Sequence, residues 1–485
     1  ETSGNYPAAL AILKSVYEGL LVPFDTGLKI EQRYFTEILQ TTEAGMMIRS
    51  LFVSLQELNK GARRPAGEKP TNFKKIGVIG AGFMGAGIAY VTAKAGIPVV
   101  LIDRDQEAAD KGKAHSADLI AKEIQKGRAT EADKEKLLSL ITATPDYAAL
   151  AGADLVIEAV FEDREVKRAA TEKAEEALKA SAVFASNTST LPITGLAKVS
   201  KRPKNFIGIH FFSPVDKMML VEVILGKKTG DKALAVALDY VRAIKKTPIV
   251  VNDTRGFYVN RCVLRYMSEA YNMLIEGVPP AMIENAARMA GMPVGPLALN
   301  DETAIDLSQK ILKATLADLG PKAIDPRHVE LVDRLVNEFD RKGRKNGKGF
   351  YDYPAKPAKK HLWPGLKDLY PQQDPDKVDV GELKRRFLVT IALEAARVME
   401  EGIVTDPREA DVGSILAFGF APYTGGTLSY IDGMGAKEFV SLAKALQKKY
   451  GLQFKPPKLL LDMAETGDSF YRRFNPYKGE AQKAA

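Results

Sequence analysis

Residues 75–105, KIGVIGAGFMGAGIAYVTAKAGIPVVLIDRD, admit few folds. Ile76, Val78 and Ile79 are the apolar residues of a short strand, and Gly80, Gly82 and Gly85 follow it in G-x-G-x-x-G spacing. Gly80 allows the tight turn, Gly82 lets backbone amides approach a pyrophosphate, and Gly85 lets a new helix pack close to the strand. Phosphates at that helix's N-terminus meet free N–H groups and the positive end of its dipole. Residues 99–102 read as the next strand, and Asp103 ends it about 20 residues beyond the turn, where the fingerprint places an acid. A carboxylate there accepts the hydroxyls of an adenosine ribose and repels a 2′-phosphate, which favours NAD over NADP as the cofactor. Arg104 weakens that discrimination, because an arginine beside this position holds a 2′-phosphate as readily as it stacks on adenine. The competing reading is a glycine-rich turn in another doubly wound sheet. The strand, helix, second strand and acid together favour the dinucleotide site.

With 485 residues the chain is too long for one typical domain, and about three units are expected. Its 46% hydrophobic and 27% charged content suits a globular protein with several cores. The single cysteine, Cys262, excludes a disulfide framework and fits a reducing compartment. Four histidines (His115, His210, His328, His361) without a cysteine pair offer no metal cluster, and no apolar run is long enough to span a membrane. The chain starts without methionine or signal peptide and enters a helical pattern almost at once, so a fragment of a longer chain is expected. Net charge is +8, gathered at residues 201–204 (KRPK), 341–348 (RKGRKNGK) and 356–360 (KPAKK). No aromatic residues interleave these runs as base-stacking platforms, so no nucleic-acid partner is expected. Solvated loops, or attraction of a polyphosphate substrate by the summed field, account for them.

Residues 8–21 and 29–58 carry apolar positions at helical spacing. Residues 61–71, GARRPAGEKPT, form a linker. Strand and helix patterns then alternate to about residue 255, with strands at 153–159 and 182–186 around a charged helix at 165–180, the pattern of a parallel, doubly wound sheet. Helical patterns follow from residue 256, and a second linker lies at 354–364. The helical regions resemble each other: residues 268–277 read SEAYNMLIEG and residues 393–402 read LEAARVMEEG. Glu269 matches Glu394, Glu276 matches Glu401 and Glu284 matches Glu409 in one register. Residues 297–301 (LALND) resemble 428–432 (LSYID), and an ancestral duplication is expected.

Residues 207–213, IGIHFFS, place His210 after an alternating apolar strand, and Glu222 lies inside LVEVI, too apolar to hold a carboxylate without a reason. On neighbouring strands the carboxylate reaches the imidazole, holds one ring nitrogen's proton and raises the basicity of the other. A structural His–Glu pair is the alternative. Residues 186–189 (SNTS) follow a strand and so lie at a sheet's ligand-binding edge, and residues 252–261 (NDTRGFYVNR) lie where sheet gives way to helix. A dinucleotide, an oriented base and polar donors suit hydride exchange with an alcohol, without identifying it.

The set GAGFMGAGIA, VIEAVFED, SNTSTLPI, IGIHFFSPVDKMMLVEVI, NDTRGFYVNR and GRKNGKGFYDY resembles the L-3-hydroxyacyl-CoA dehydrogenase family, in particular the dehydrogenase part of the multifunctional fatty-acid oxidation protein of alpha-subunit type. The resemblance covers nearly the whole chain. It implies an α/β fold: a helical linker segment at 1–70 that joins an absent hydratase/isomerase module, a Rossmann-type NAD-binding domain at 71–255, a helical domain at 256–353, a linker at 354–380 and a related helical domain at 381–485. It implies that His210 is the general base, that Glu222 orients it, and that Ser189 and Asn260 bond the substrate's reacting oxygens. Gly80, Gly82, Met84, Gly85, Asp103, Val160, Glu162, Lys167 and Ser189 line the cofactor site in this reading. Ser213 departs from the family's common asparagine on the nicotinamide side, so a weaker hold is expected there. The resemblance further implies an acyl-CoA substrate, a thiolase partner in an intact complex, and a bacterial cytoplasmic location, with mitochondrial matrix or peroxisome as alternatives. Single-module relatives pair their helical domains as dimers, so a chain with two copies is expected to be monomeric. A dehydrogenase for a 3-hydroxy acid without CoA, and a silent dinucleotide-binding scaffold, are the rival readings.

Overall fold

The computed structural model describes residues 2–475; residues 476–485 of the expected second helical domain lie outside the described residues. The chain divides into two compact units, one of residues 2–49, 261–400 and 418–473, the other of residues 50–260, 401–417 and 474–475. The expected linker segment, 1–70, thus contributes to both.

The second unit is built on an eight-stranded sheet: β1 (Ile76–Ile79), β2 (Val99–Ile102), β3 (Ile141–Thr144), β4 (Leu155–Glu158), β5 (Val183–Ser186), β6 (Phe206–Phe211), β7 (Leu220–Leu225) and β8 (Thr247–Asn252). Their order is β3-β2-β1-β4-β5-β6-β7-β8. β1 to β6 run parallel, and β1, β2, β4 and β5 are buried along their whole length, as sheets covered on both faces require. The wholly parallel sheet expected from the sequence is modified at one edge: β7 runs antiparallel to β6, and β8 parallel to β7. Residues 212–219 are the physical reason, since they are fewer than the dozen or so that a parallel crossover needs. Strand order reverses between β1 and β4, which opens a crevice at the carboxyl ends of those strands.

The first unit is helical. Helices Pro7–Gly19 and Phe24–Leu39 form a hairpin. The helical spacing read over 29–58 is divided among several helices: the Thr41 hydroxyl accepts from the Ala44 amide and starts a new one, Thr42–Met47. A π-helical stretch, Ile48–Ser54, and the helix Leu55–Lys60 follow. Helix Val380–Glu400 is buried over most of its length and packs against Pro280–Met289 and Thr427–Met434. Two ion pairs here are reciprocal: Arg261 Nη2 lies 2.7 Å from Glu394 Oε1, and Arg386 Nε lies 2.6 Å from Glu269 Oε1. One sequence offset relates Arg261 to Arg386 and Glu269 to Glu394. The Asp301 carboxylate accepts from the amides of Phe350 and Tyr351, and the Asp432 carboxylate accepts from those of Phe470 and Tyr471.

Candidate active site

The glycine turn stands at the crevice. Gly80 has φ +95°, and a Cβ on it would lie 2.6 Å from the Ala159 carbonyl oxygen, so another residue would be strained and crowded. Helix Phe83–Lys94 starts here and packs so close that a Cβ on Gly85 would collide with the Gly80 carbonyl oxygen, 1.7 Å away. Gly82 differs. Its φ of −64° is ordinary and nothing lies within 4 Å of an added Cβ. The fold itself does not demand glycine there, and the open space before the helix's first amides is where a pyrophosphate fits. Asp103 Oδ2 accepts from the Ala81 amide at 2.6 Å, which ties the acid to the turn. Arg104, 84% exposed, pairs with Asp105 at 3.0 Å. Met84 is half-buried in the first turn of the same helix. These residues fit a dinucleotide.

β6 and β7 pair with His210 directly opposite Glu222. His210 Nδ1 lies 2.7 Å from Glu222 Oε2. Glu222 has no exposed surface, and its Oε1 accepts from the amides of Tyr258 at 3.2 Å and Val259 at 3.0 Å. A carboxylate only accepts, so Nδ1 carries the ring proton and Nε2 presents a lone pair. The rings of Phe212 and Phe257, with centroids 4.5 Å and 5.9 Å from the imidazole, wall the site with apolar surface. Such an imidazole can take a proton from an alcohol, and the carboxylate behind it favours the resulting cation.

A second carboxylate network lies at the ends of β4 and β5. Glu162 Oε1 accepts from the Thr188 hydroxyl at 2.7 Å, from the amides of Ser189 and Thr190 at 3.0 Å and 3.1 Å, and from the Thr190 hydroxyl. Burial acts to raise its carboxyl, but the Lys167 charge and these donors outweigh burial and hold it below the usual range. Lys167, 1% exposed, reaches Glu158 at 2.8 Å and Glu162 at 3.4 Å. It therefore lies beneath the surface and faces the site through Glu162. Glu158 also accepts from the Val160 amide and the Ser186 hydroxyl. Asn260 Nδ2 donates to the Ser189 carbonyl at 2.8 Å, which brings those two candidates together, and Ser213 is exposed.

Sequence reasoning missed Glu158 and Asp253. Asp253 holds the amides of Ile193 and Thr194 at 2.8 Å and 2.7 Å. Glu158 had a signal like the one that singled out Glu222, an acid in an apolar run; Asp253 lay in the singled-out segment 252–261 with nothing to mark it individually. Among the described residues no group of three or more His, Cys, Asp or Glu could hold a metal, and no helix is long and apolar enough to cross a membrane.

A dinucleotide crevice beside an imidazole held by a buried carboxylate defines an NAD-linked dehydrogenase. Residues 75–254 match the family described as 3-hydroxyacyl-CoA dehydrogenase, NAD binding domain, and residues 256–353 match its C-terminal domain. A fatty acid oxidation complex subunit alpha from Shewanella loihica is 40% identical over 476 residues, 97% of this chain. The chain spans 66% of that relative's length. A 3-hydroxybutyryl-CoA dehydrogenase from Escherichia coli K12 superposes with a TM-score of 0.72 at 26% identity, covering 82% of this chain and 99% of that one. The (S)-3-hydroxybutyryl-CoA dehydrogenase of Ralstonia eutropha is 35% identical with a TM-score of 0.55, covering 59% of this chain and all of that one. The chain belongs to the 3-hydroxyacyl-CoA dehydrogenase family.

Proposed function

We propose that the protein oxidises L-3-hydroxyacyl-CoA to 3-ketoacyl-CoA with NAD, a step of fatty-acid β-oxidation. The observation that carries this reading is His210, with Nδ1 held 2.7 Å from a buried Glu222 at the end of a sheet that also carries the dinucleotide crevice. NAD, when bound, supplies the hydride acceptor. His210 Nε2 takes the 3-hydroxyl proton, and the Glu222 charge stabilises the imidazolium that forms. The Ser189 hydroxyl and the Asn260 amide hold the substrate's reacting oxygens. Glu162 keeps the 188–190 turn in place beneath them, and Lys167 balances its charge. Gly80, Gly82, Gly85, Met84, Asp103, Val160 and Ser213 line the cofactor's path.

The reciprocal pairs Arg261–Glu394 and Arg386–Glu269, with the matched Asp301 and Asp432, support two copies of one helical domain, as a pseudo-twofold contact brings i to j and j to i. We take residues 256–353 and 381–475 as those copies. The second has Arg385 and Arg386 where the first has Asn260 and Arg261, so it offers no second substrate amide. The relatives' designation as complex subunits supports a partner subunit, which the family resemblance makes a thiolase. The test is NADH consumption by the purified chain. Acetoacetyl-CoA should be reduced, free acetoacetate should not, and failure with acetoacetyl-CoA would reject the reading.

A further inference from the structure

Residues 212–219 lie between the strand that carries His210 and the dinucleotide helix. On one side Val215 packs against that helix at Gly87, where an added Cβ would come within 2.9 Å of the Val215 Cβ. On the other side the turn meets a lysine. Lys246, immediately before β8 and 5% exposed, donates from Nζ to the carbonyl oxygen of Val215 at 2.6 Å and to that of Met218 at 2.5 Å. Inside the turn the amides of Lys217 and Met218 both donate to the Pro214 carbonyl, each at 3.0 Å, and the Thr247 amide donates to the Met219 carbonyl. The carbonyls of Val215 and Met218 therefore converge on Lys246.

Among the described residues Lys246 makes no ion pair, and burial lowers its ammonium to about 8, with Asp216 opposing. A cation kept in such a place costs folding free energy that an apolar residue of similar length would avoid. Packing alone does not account for it. We propose that Lys246 is a positioning residue for hydride transfer: by holding the carbonyls of Val215 and Met218 it seats Val215 on Gly87, and so sets the spacing between His210 and the dinucleotide carried by helix Phe83–Lys94. The inference rests on the dehydrogenase reading above. Small errors in the spacing of donor and acceptor are expensive: about 1 Å costs on the order of 100-fold in rate.

The test compares Lys246→Met, which keeps length and loses the donors, with Lys246→Arg, which keeps donors for both carbonyls. Lys246→Met should raise the NADH dissociation constant and KM and lower kcat, each by roughly 10-fold or more, and enlarge the primary isotope effect with deuterated NADH. The acetoacetyl-CoA KM and the melting temperature should change little, and Lys246→Arg should recover part of the loss. A variant with kcat, NADH affinity and isotope effect within twofold of wild type would overturn the inference. So would a loss that merely follows the folded fraction. If Lys246→Met does not fold, Val215→Ala loosens the same contact, and unchanged NADH affinity and isotope effect there would overturn it equally. An inactive wild type would reject the dehydrogenase reading and this inference with it, whereas an active wild type with an unperturbed Lys246→Met would overturn this inference alone.

Discussion

Replacing Glu222 by glutamine keeps the side chain's shape and removes its charge. The carboxylate accepts three hydrogen bonds, from His210 Nδ1 and the amides of Tyr258 and Val259. An amide has one accepting oxygen. If that oxygen turns to His210, its NH2 faces two buried amide donors, and each unpaired donor costs about 1–3 kcal/mol. The oxygen therefore stays on the amides and the NH2 faces Nδ1. The imidazole must then carry its proton on Nε2, the nitrogen needed as base. Loss of a positioned base lowers kcat by roughly 10²–10⁴, equivalent to about 3–5 kcal/mol of transition-state stabilisation. Fold stability should move less, because the lost charged hydrogen bond, worth about 1.5–3 kcal/mol, is offset by the cheaper burial of a neutral amide. The assay is steady-state NADH oxidation with acetoacetyl-CoA, with NADH binding followed separately and expected to survive. Turnover of Glu222→Gln within threefold of wild type would refute the reasoning and leave Glu222 as packing.

Gly82→Ala should fold with stability unchanged to about 0.5 kcal/mol, since its Cβ meets no protein atom, yet lose NADH affinity tenfold or more; equal affinity would mean that no ligand approaches there. Asp103→Asn keeps an acceptor for the Ala81 amide and removes the charge facing a 2′-phosphate, so the preference for NADH over NADPH should shrink at least tenfold, and an unchanged ratio would count against the acid's role. Burial lifts the Glu409 carboxyl from 4.5 to about 8, despite Arg63 nearby. The folded state then keeps a proton that the unfolded state releases above pH 4.5, so the stability present at pH 4.5 is lost as pH rises through about 8. That loss is of the order of 4 kcal/mol. Glu409→Gln, neutral throughout and still able to accept from the Val250 amide, should flatten the slope in urea unfolding at pH 5 and pH 8; parallel slopes would exclude Glu409 as its source.

The dinucleotide turn was legible because its physics is local. The positive φ of Gly80, the close helix at Gly85 and the acid at Asp103 all fall within one strand–helix–strand stretch. An acid in the apolar run LVEVI was legible as a residue in need of a partner, since burial of an unpaired carboxylate is costly. Where that partner stands was not. His210 meets Glu222 only because β7 turns back against β6 and sets the two in register. The likeness of residues 268–277 to 393–402 could be read from Glu269 and Glu394, yet their reciprocal arginines appear only once the helices pack. Lys246 is the extreme case. In the sequence it is one of two adjacent lysines, indistinguishable from a solvated charge, and it becomes a buried donor because folding brings the carbonyls of Val215 and Met218 to it. Backbone preference, periodicity and residue chemistry act over a few residues and are written in order along the chain. Partners for buried charges come from segments far apart, chosen by which surfaces exclude water together, and that choice belongs to the tertiary structure.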